Sequence, residues 1–122
     1  EEYIFTLLSA PYIKGLTVLG GEPFEPSNQR ALYPFLKEVK SRFEDKTIWM
    51  FTGFTYEELH DSGCRGNCEV TDKILSLADV LVDGRYVDEL KNIALRFRGS
   101  SNQRIIDLKK TSAEGEIVPW EE

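Results

Sequence analysis

Cysteine and histidine are scarce in this chain: two cysteines and one histidine in 122 residues. Cys64 and Cys68 are too few and too close together to staple a secreted disulfide scaffold, so a reducing, cytoplasmic setting is the default expectation. No apolar run approaches the length of a membrane span, and no membrane partner is expected. Positive charge is also short. Fifteen Lys and Arg against 21 Asp and Glu leave a net charge of −6. A phosphate backbone needs a basic face, so nucleic-acid binding is not expected as the main activity, although a local basic pocket for a small anion is not excluded. Internal repeats and low-complexity tracts are absent. Glu1 stands where a methionine would, and no signal-peptide pattern follows, so the sequence is expected to be either processed or a fragment of a longer polypeptide.

What is present is enough for one domain over residues 1–122: 41% apolar residues, including seven Phe, five Tyr and two Trp. That apolar content can offset chain entropy. The rhythm alternates helix and strand. Residues 1–10 place Ile4, Leu7 and Leu8 on one helical face, ended by Pro11. Residues 15–19 read as a buried strand that stops at Gly20-Gly21. A helix starting at Pro26-Ser27-Asn28 carries Leu32, Phe35, Leu36, Val39 and Phe43 at helical spacing. Pro34 fits it only in a first turn or at a kink. Residues 47–52 form a second strand and Tyr56–Leu59 a short helix. Residues 62–67 are a loop, and a helix over 71–77 leads into a third strand, 79–83. A weak helix over 87–93, a short strand over 104–108 and a tail anchored by Val118 and Trp120 complete the chain.

Strands separated by helical stretches imply parallel pairing through crossovers. Three strand ends combine small and charged residues: Gly20-Gly21-Glu22, Thr52-Gly53 and Asp83-Gly84-Arg85. Ligands of parallel α/β sheets and barrels sit at that edge, which is the reason to expect a site there. In Gly20-Gly21-Glu22-Pro23 the glycines allow close backbone approach and positive φ, and Glu22 is placed to accept hydrogen bonds from an ammonium group. Pro23 stiffens the exit. The same residues also read as a plain strand-to-helix turn with Glu22 solvated.

Leu19-Gly20-Gly21-Glu22-Pro23 resembles the Gly-Gly-Glu/Asp-Pro motif of radical-SAM enzymes. Pro11–Thr17, Ile48–Phe54, Val80–Val87 and Phe97–Arg104, the last containing Arg98-Gly99-Ser100-Ser101-Asn102-Gln103, are similar, in order, to the anaerobic ribonucleotide reductase activating proteins. The resemblance implies an incomplete parallel (β/α) barrel of radical-SAM type, truncated at its N-terminus. It also implies a 4Fe–4S cluster on a Cys-x3-Cys-x2-Cys loop ahead of the Gly-Gly strand, and S-adenosylmethionine bound at the cluster. The implied activity is generation of a glycyl radical on the catalytic subunit of the reductase, with an electron donor such as a flavodoxin. Carried over by position, Gly20, Gly21, Glu22 and Pro23 line the methionine end of S-adenosylmethionine, and Thr52 reaches the same ligand. Asp83-Gly84-Arg85 resembles an Asp-x-Lys strand end whose cation holds the methionine carboxylate. Arg85 replaces the lysine with a larger, forked group. Asp83 and Arg85 also read as a surface ion pair. Arg98 and Ser100–Gln103 read either as a contact to nucleoside or reductase, or as an ordinary polar loop.

The cluster motif itself is missing. Cys64-x3-Cys68 has the spacing of its first two ligands, but Thr71 stands at the third position and the pair follows the second strand. Nothing before Gly20 is a cysteine. The chain as it stands is therefore expected not to hold the cluster, whose ligands are expected upstream, and no residue here is assigned as catalytic or metal-binding. Cys64 and Cys68 read first as structural loop residues or an incidental reversible disulfide, then as half of a zinc site that His60 would extend, and last as cluster ligands. The alternative function is a non-catalytic, degenerate α/β domain that binds a nucleotide-like ligand or the reductase. A flavodoxin-like phosphate site at Gly20-Gly21 ranks below both, because Glu22 would repel the phosphate.

Overall fold

The computed structural model describes residues 15–18, 22–85, 87, 89 and 102–120. Its elements are β1 (Gly15–Val18), α1 (Pro26–Arg42), β2 (Thr47–Phe51), α2 (Tyr56–Leu59), α3 (Thr71–Leu77), β3 (Val80–Asp83), β4 (Arg104–Asp107) and α4 (Leu108–Glu114). The helix expected over 1–10 lies outside the described residues, as does almost all of the one expected over 87–93.

The strands form one sheet in the order β1-β2-β3-β4. β1 pairs with β2 and β2 with β3 in parallel, as the alternation of helix and strand predicts. β4 departs from that expectation. It runs antiparallel to β3, with Val80 opposite Asp107 and Asp83 opposite Arg104. This register places the Arg104 guanidinium beside the Asp83 carboxylate; a parallel β4 would carry it to the other end of β3. The parallel rule applies to strands joined by βαβ crossovers, and antiparallel neighbours do not require one.

β2 alternates, burying Ile48 and Met50 while Thr47 is exposed, whereas all four residues of β3 are buried. A central strand covered on both faces reads as a continuous apolar run, which is how Val80-Leu81-Val82 reads. Ile48, Met50, Leu81 and Ile106 meet Leu36 and Val39 of α1, Leu59 of α2 and Ile74 of α3 in one core. Pro26 opens α1 at its first turn, where the missing N–H costs nothing, and the helix runs on through an exposed Pro34. Pro34 is thus interior, at the cost of one backbone hydrogen bond.

The end of the chain also differs from its sequence reading. Residues 108–114 form a helix rather than strand and tail. Asp107 caps it by accepting from Lys110 N at 2.9 Å, and Gly115 closes it in the left-handed region at φ 76°. Val118 and Trp120 do anchor the segment beyond Gly115. Val118 O accepts from Asp107 N, Trp120 N donates to Ile105 O, and the Trp120 ring meets Trp49 edge-on at 4.8 Å.

At the N-terminal edge of the sheet, Asp79 accepts from Ile48 N at 2.8 Å and from Lys40 Nζ at 2.7 Å, tying α1 to β2 and β3. The opposite edge carries Glu22, Thr52 and Asp83.

Candidate functional site

Glu22 lies between β1 and α1, four residues after Val18 and four before Pro26. Its carboxylate is oriented by three donors. Gly53 N reaches Oε1 at 2.6 Å, and Thr52 Oγ1 and Phe24 N reach Oε2 at 2.6 and 2.9 Å. Two of these donors come from the end of β2, so Glu22 and Thr52 meet at one edge as the strand-end reading predicts. Thr52 is buried, with its hydroxyl also accepting from Phe54 N at 3.1 Å. Pro23 is buried and Glu22 half-buried. A carboxylate offers about four acceptor positions, and among the described residues one on Oε1 is unfilled. Gly20 and Gly21 lie outside the described residues.

Asp83 ends β3 at the same edge, joined to the Glu22 group by residues 52–56. Its environment is different. It is 1% exposed, and both oxygens are taken. Oδ2 accepts from Tyr56 N at 2.7 Å and from Arg104 Nη2, and Oδ1 accepts from Arg104 Nε at 3.0 Å. Arg104 continues to Glu57 with Nη2 at 2.6 Å from Oε1 and Nη1 at 3.2 Å from Oε2. Asp83, and then Glu57, hold the guanidinium charged well beyond its ordinary range, and Arg104 in turn holds the Glu57 carboxyl below the usual glutamate range. Burial, with Asp72 and Glu57 nearby, raises the Tyr56 phenol. The ion pair of Asp83 is therefore with Arg104, not the surface pair with Arg85 that sequence offered.

Gly84 follows at φ 99°, a conformation that favours glycine, and its N–H donates to Phe54 O at 2.9 Å. Arg85 is exposed. A Cβ built on Gly53 would stand 3.3 Å from Glu22 Oε1 and 3.8 Å from Arg85 Cγ, so the stem of Arg85 and the Glu22 carboxylate border the same glycine. Asn102 Nδ2 donates to Arg85 O at 2.8 Å and Gln103 Nε2 to Gly84 O at 3.0 Å. Those two residues of the polar cluster hold the backbone of the 84–85 turn. Arg98, Ser100 and Ser101 lie outside the described residues.

Cys64 and Cys68 are free thiols in the loop between α2 and α3. Cys64 Sγ accepts from Gly66 N at 3.4 Å, and Cys68 Sγ donates to Gln29 Oε1 at 3.4 Å. Thr71 accepts from Cys68 N at 2.8 Å and donates to Gln29 at 2.6 Å. His60 turns away to α2 and α3, with Nδ1 2.9 Å from Tyr56 O and Nε2 3.8 Å from Asp72. Among the described residues, no group of three or more His, Cys, Asp or Glu side chains is arranged to hold a metal ion.

The family model of a 4Fe–4S single cluster domain matches residues 1–106. The anaerobic ribonucleoside-triphosphate reductase-activating protein of Vibrio cholerae is 39% identical over 92 residues, covering 75% of this chain and 54% of that protein. The protein of the same name from enterobacteria phage T4 is 37% identical over 98 residues, 80% of this chain and 56% of the relative. That of Escherichia coli K12 is 32% identical over 111 residues, 89% and 67% respectively. The chain belongs to this family of activating proteins. It spans little more than half the length of the first two of these relatives. No solved structure matches it significantly.

The cluster that the family model names does not fit the residues present. Such a cluster needs at least three thiolates in this kind of site, and the activating-protein chain supplies two. The thiol of one is committed to Gln29, and Thr71 occupies the third position of the spacing. Two residues of the site carry no signal in the sequence. Arg104 reads only as a strand residue, and the antiparallel register reveals Asp83 as its counter-ion. Gln29 carries no motif at all.

Proposed function

We propose that this chain forms the S-adenosylmethionine-binding edge of a radical-SAM activating enzyme that generates a glycyl radical on the catalytic subunit of anaerobic ribonucleotide reductase. The observation that carries the reading is the Glu22 carboxylate, oriented by Thr52, Gly53 and Phe24 at the end of parallel strands with an acceptor position unfilled. That donor set fits the ammonium of a methionyl group. Glu22 would accept from it, Thr52 and Gly53 N–H would hold the carboxylate in place, and Arg85, beside Gly53, would face the ligand carboxylate. Gly20, Gly21 and Pro23 would shape the approach. Asp83 supports this edge from behind. S-adenosylmethionine supplies the hydrogen-abstracting chemistry when bound; the protein binds and orients it and excludes water.

The sheet edge is that of the incomplete parallel (β/α) barrel implied by the sequence resemblance, with thiolates for the cluster coming from sequence outside these 122 residues. A flavodoxin-type electron donor and a cytoplasmic setting complete the reading. No helix among the described residues is long and apolar enough to cross a membrane.

Glu22→Ala tests the proposal. A charge-assisted hydrogen bond to the ligand ammonium is worth about 1.5–3 kcal/mol, so affinity for S-adenosylmethionine in the intact protein should fall roughly tenfold to hundredfold. Isothermal titration measures it, with the melting temperature as a control. Equal affinities would reduce Glu22 to a turn residue and sink the reading. The cysteine count gives a second check. Expressed alone and reconstituted with iron and sulfide, these 122 residues should develop no 4Fe–4S absorption, and a stable four-iron spectrum would promote Cys64 and Cys68 to ligands.

A further inference from the structure

Gln29 is a fully buried amide whose four hydrogen-bonding positions are all used. Nε2 donates to Phe24 O and to Gly66 O, each at 2.7 Å. Oε1 accepts from Thr71 Oγ1 at 2.6 Å and Cys68 Sγ at 3.4 Å. Two carbonyls face one end of the side chain and two protic groups face the other. Only a primary amide meets both demands, and they fix which way it points. Glutamate has the shape but lacks the paired donors, and an apolar side chain would leave the Phe24 carbonyl buried and unmatched.

Phe24 is the residue whose N–H donates to Glu22 Oε2 at 2.9 Å. Its ring is fully buried, and its carbonyl is held by Gln29. The adjacent Asn28 donates to Glu22 O at 2.8 Å, and Glu25 N reaches the same carbonyl at 3.2 Å. The first turn of α1 therefore holds the 22–25 turn at two carbonyls, and Gln29 extends that hold to the 66–71 loop through buried hydrogen bonds, where Arg30–Glu69 and Arg65–Glu25 are exposed ion pairs. We infer that Gln29 is a positioning residue for the Glu22 carboxylate, acting through the backbone of Phe24. The inference rests on the ligand-binding role proposed for Glu22.

A double-mutant cycle separates positioning from simple structural support. In the intact protein, Gln29→Glu should weaken S-adenosylmethionine binding about threefold to tenfold, the size of the one lost hydrogen bond that bears on the Glu22 turn, Nε2 to Phe24 O. In a Glu22→Ala background the same substitution should change affinity no further. Amide hydrogen exchange at Phe24 and Gly53 should accelerate in Gln29→Glu. If that variant does not fold, Thr71→Val removes the hydroxyl that orients the amide while keeping Gln29, and the same cycle applies. An equal loss of affinity in both backgrounds, or unchanged affinity in a folded variant, overturns the inference. Should Glu22→Ala by itself leave affinity unaltered, it is the ligand reading that has failed. Positioning of the carboxylate is then decided by exchange at Gly53: acceleration sustains it and an unaltered rate overturns it.

Discussion

Glu22 and Asp83 are carboxylates at the same edge of one sheet, each following a parallel strand, and the fold treats them in opposite ways. Glu22 is half-buried and held by two backbone N–H groups and a hydroxyl. Neutral donors orient it without a counter-charge. Asp83 is 1% exposed, with Arg104 against both oxygens and Tyr56 N filling what remains. A buried carboxylate is tolerated when it is paired and its acceptor positions are used. Among the described residues one keeps an acceptor position unfilled, while the other is fully engaged in joining β3, β4 and α2. A polar residue at a strand end is a candidate for binding only if the fold leaves it capacity.

The comparison breaks most visibly in stability. Asp83→Ala strands Arg104 and the Tyr56 N–H, and should cost about 3 kcal/mol, the range for removing one partner of a buried pair. Glu22→Ala leaves donors nearer to solvent and should cost about 1–2 kcal/mol. Urea unfolding of both variants measures the difference, and equal costs would erase the distinction. Glu22 is not free to remove, as a solvated turn residue would be, because the Thr52 hydroxyl loses its acceptor.

A smaller effect sharpens the Asp83 side through pH. Arg104, by hydrogen bond and charge, lowers the Glu57 carboxyl from its ordinary 4.5. A folded-state value below the unfolded one stabilises the fold above about pH 4.5, and that contribution is lost as pH falls through the lowered value. In Arg104→Met the Glu57 titration, followed by NMR, should move back up. The stability gap between the two proteins should narrow as pH drops below 4.5. A Glu57 titration unmoved by Arg104→Met would remove Glu57 from the network.

Arg30 and Glu69 set the lower end of the scale. Their two hydrogen bonds, 2.7 and 2.9 Å, have geometry as good as the Arg104 pairs, and Arg30 holds the Glu69 carboxyl down to about 2. Both side chains are more than half exposed, so water and salt screen the pair. Arg30→Ala should return the Glu69 titration to the ordinary range while leaving the unfolding midpoint nearly unchanged at physiological salt. A large midpoint shift would show that geometry rather than burial decides.

Short-range chemistry accounts for what was legible beforehand. Val80-Leu81-Val82, Ile48 and Met50 declared strands by β-propensity and burial, and Leu36 and Val39 declared a helix face. The shared edge of Glu22, Thr52 and Asp83 is legible in the same way, because parallel strands end at one edge. Other local signals were present and passed over. Thr55 and Glu58 form a capping box, Thr55 Oγ1 accepting from Glu58 N while Glu58 Oε1 accepts from Thr55 N. Asp107 and Gly115 bracket α4 in the same way, but the strand before it drew the reading past the cap.

By itself, the sequence determined the family, the parallel β1-β2-β3 core and the place of Glu22 and Thr52 at its edge. Those follow from ordered motifs, from hydrophobic period and from the direction of crossovers, all of which are written along the chain. Only tertiary structure decided that β4 runs antiparallel, that Asp83 belongs to Arg104 rather than Arg85, and that Gln29 holds the turn bearing Glu22. The Asp83–Arg104 pair joins residues 21 apart in sequence, and Gln29, only five residues from Phe24, is fixed by a second carbonyl 37 residues away at Gly66. A charge or an amide has many possible partners along a chain. Burial selects one, because it makes every unmatched polar group costly.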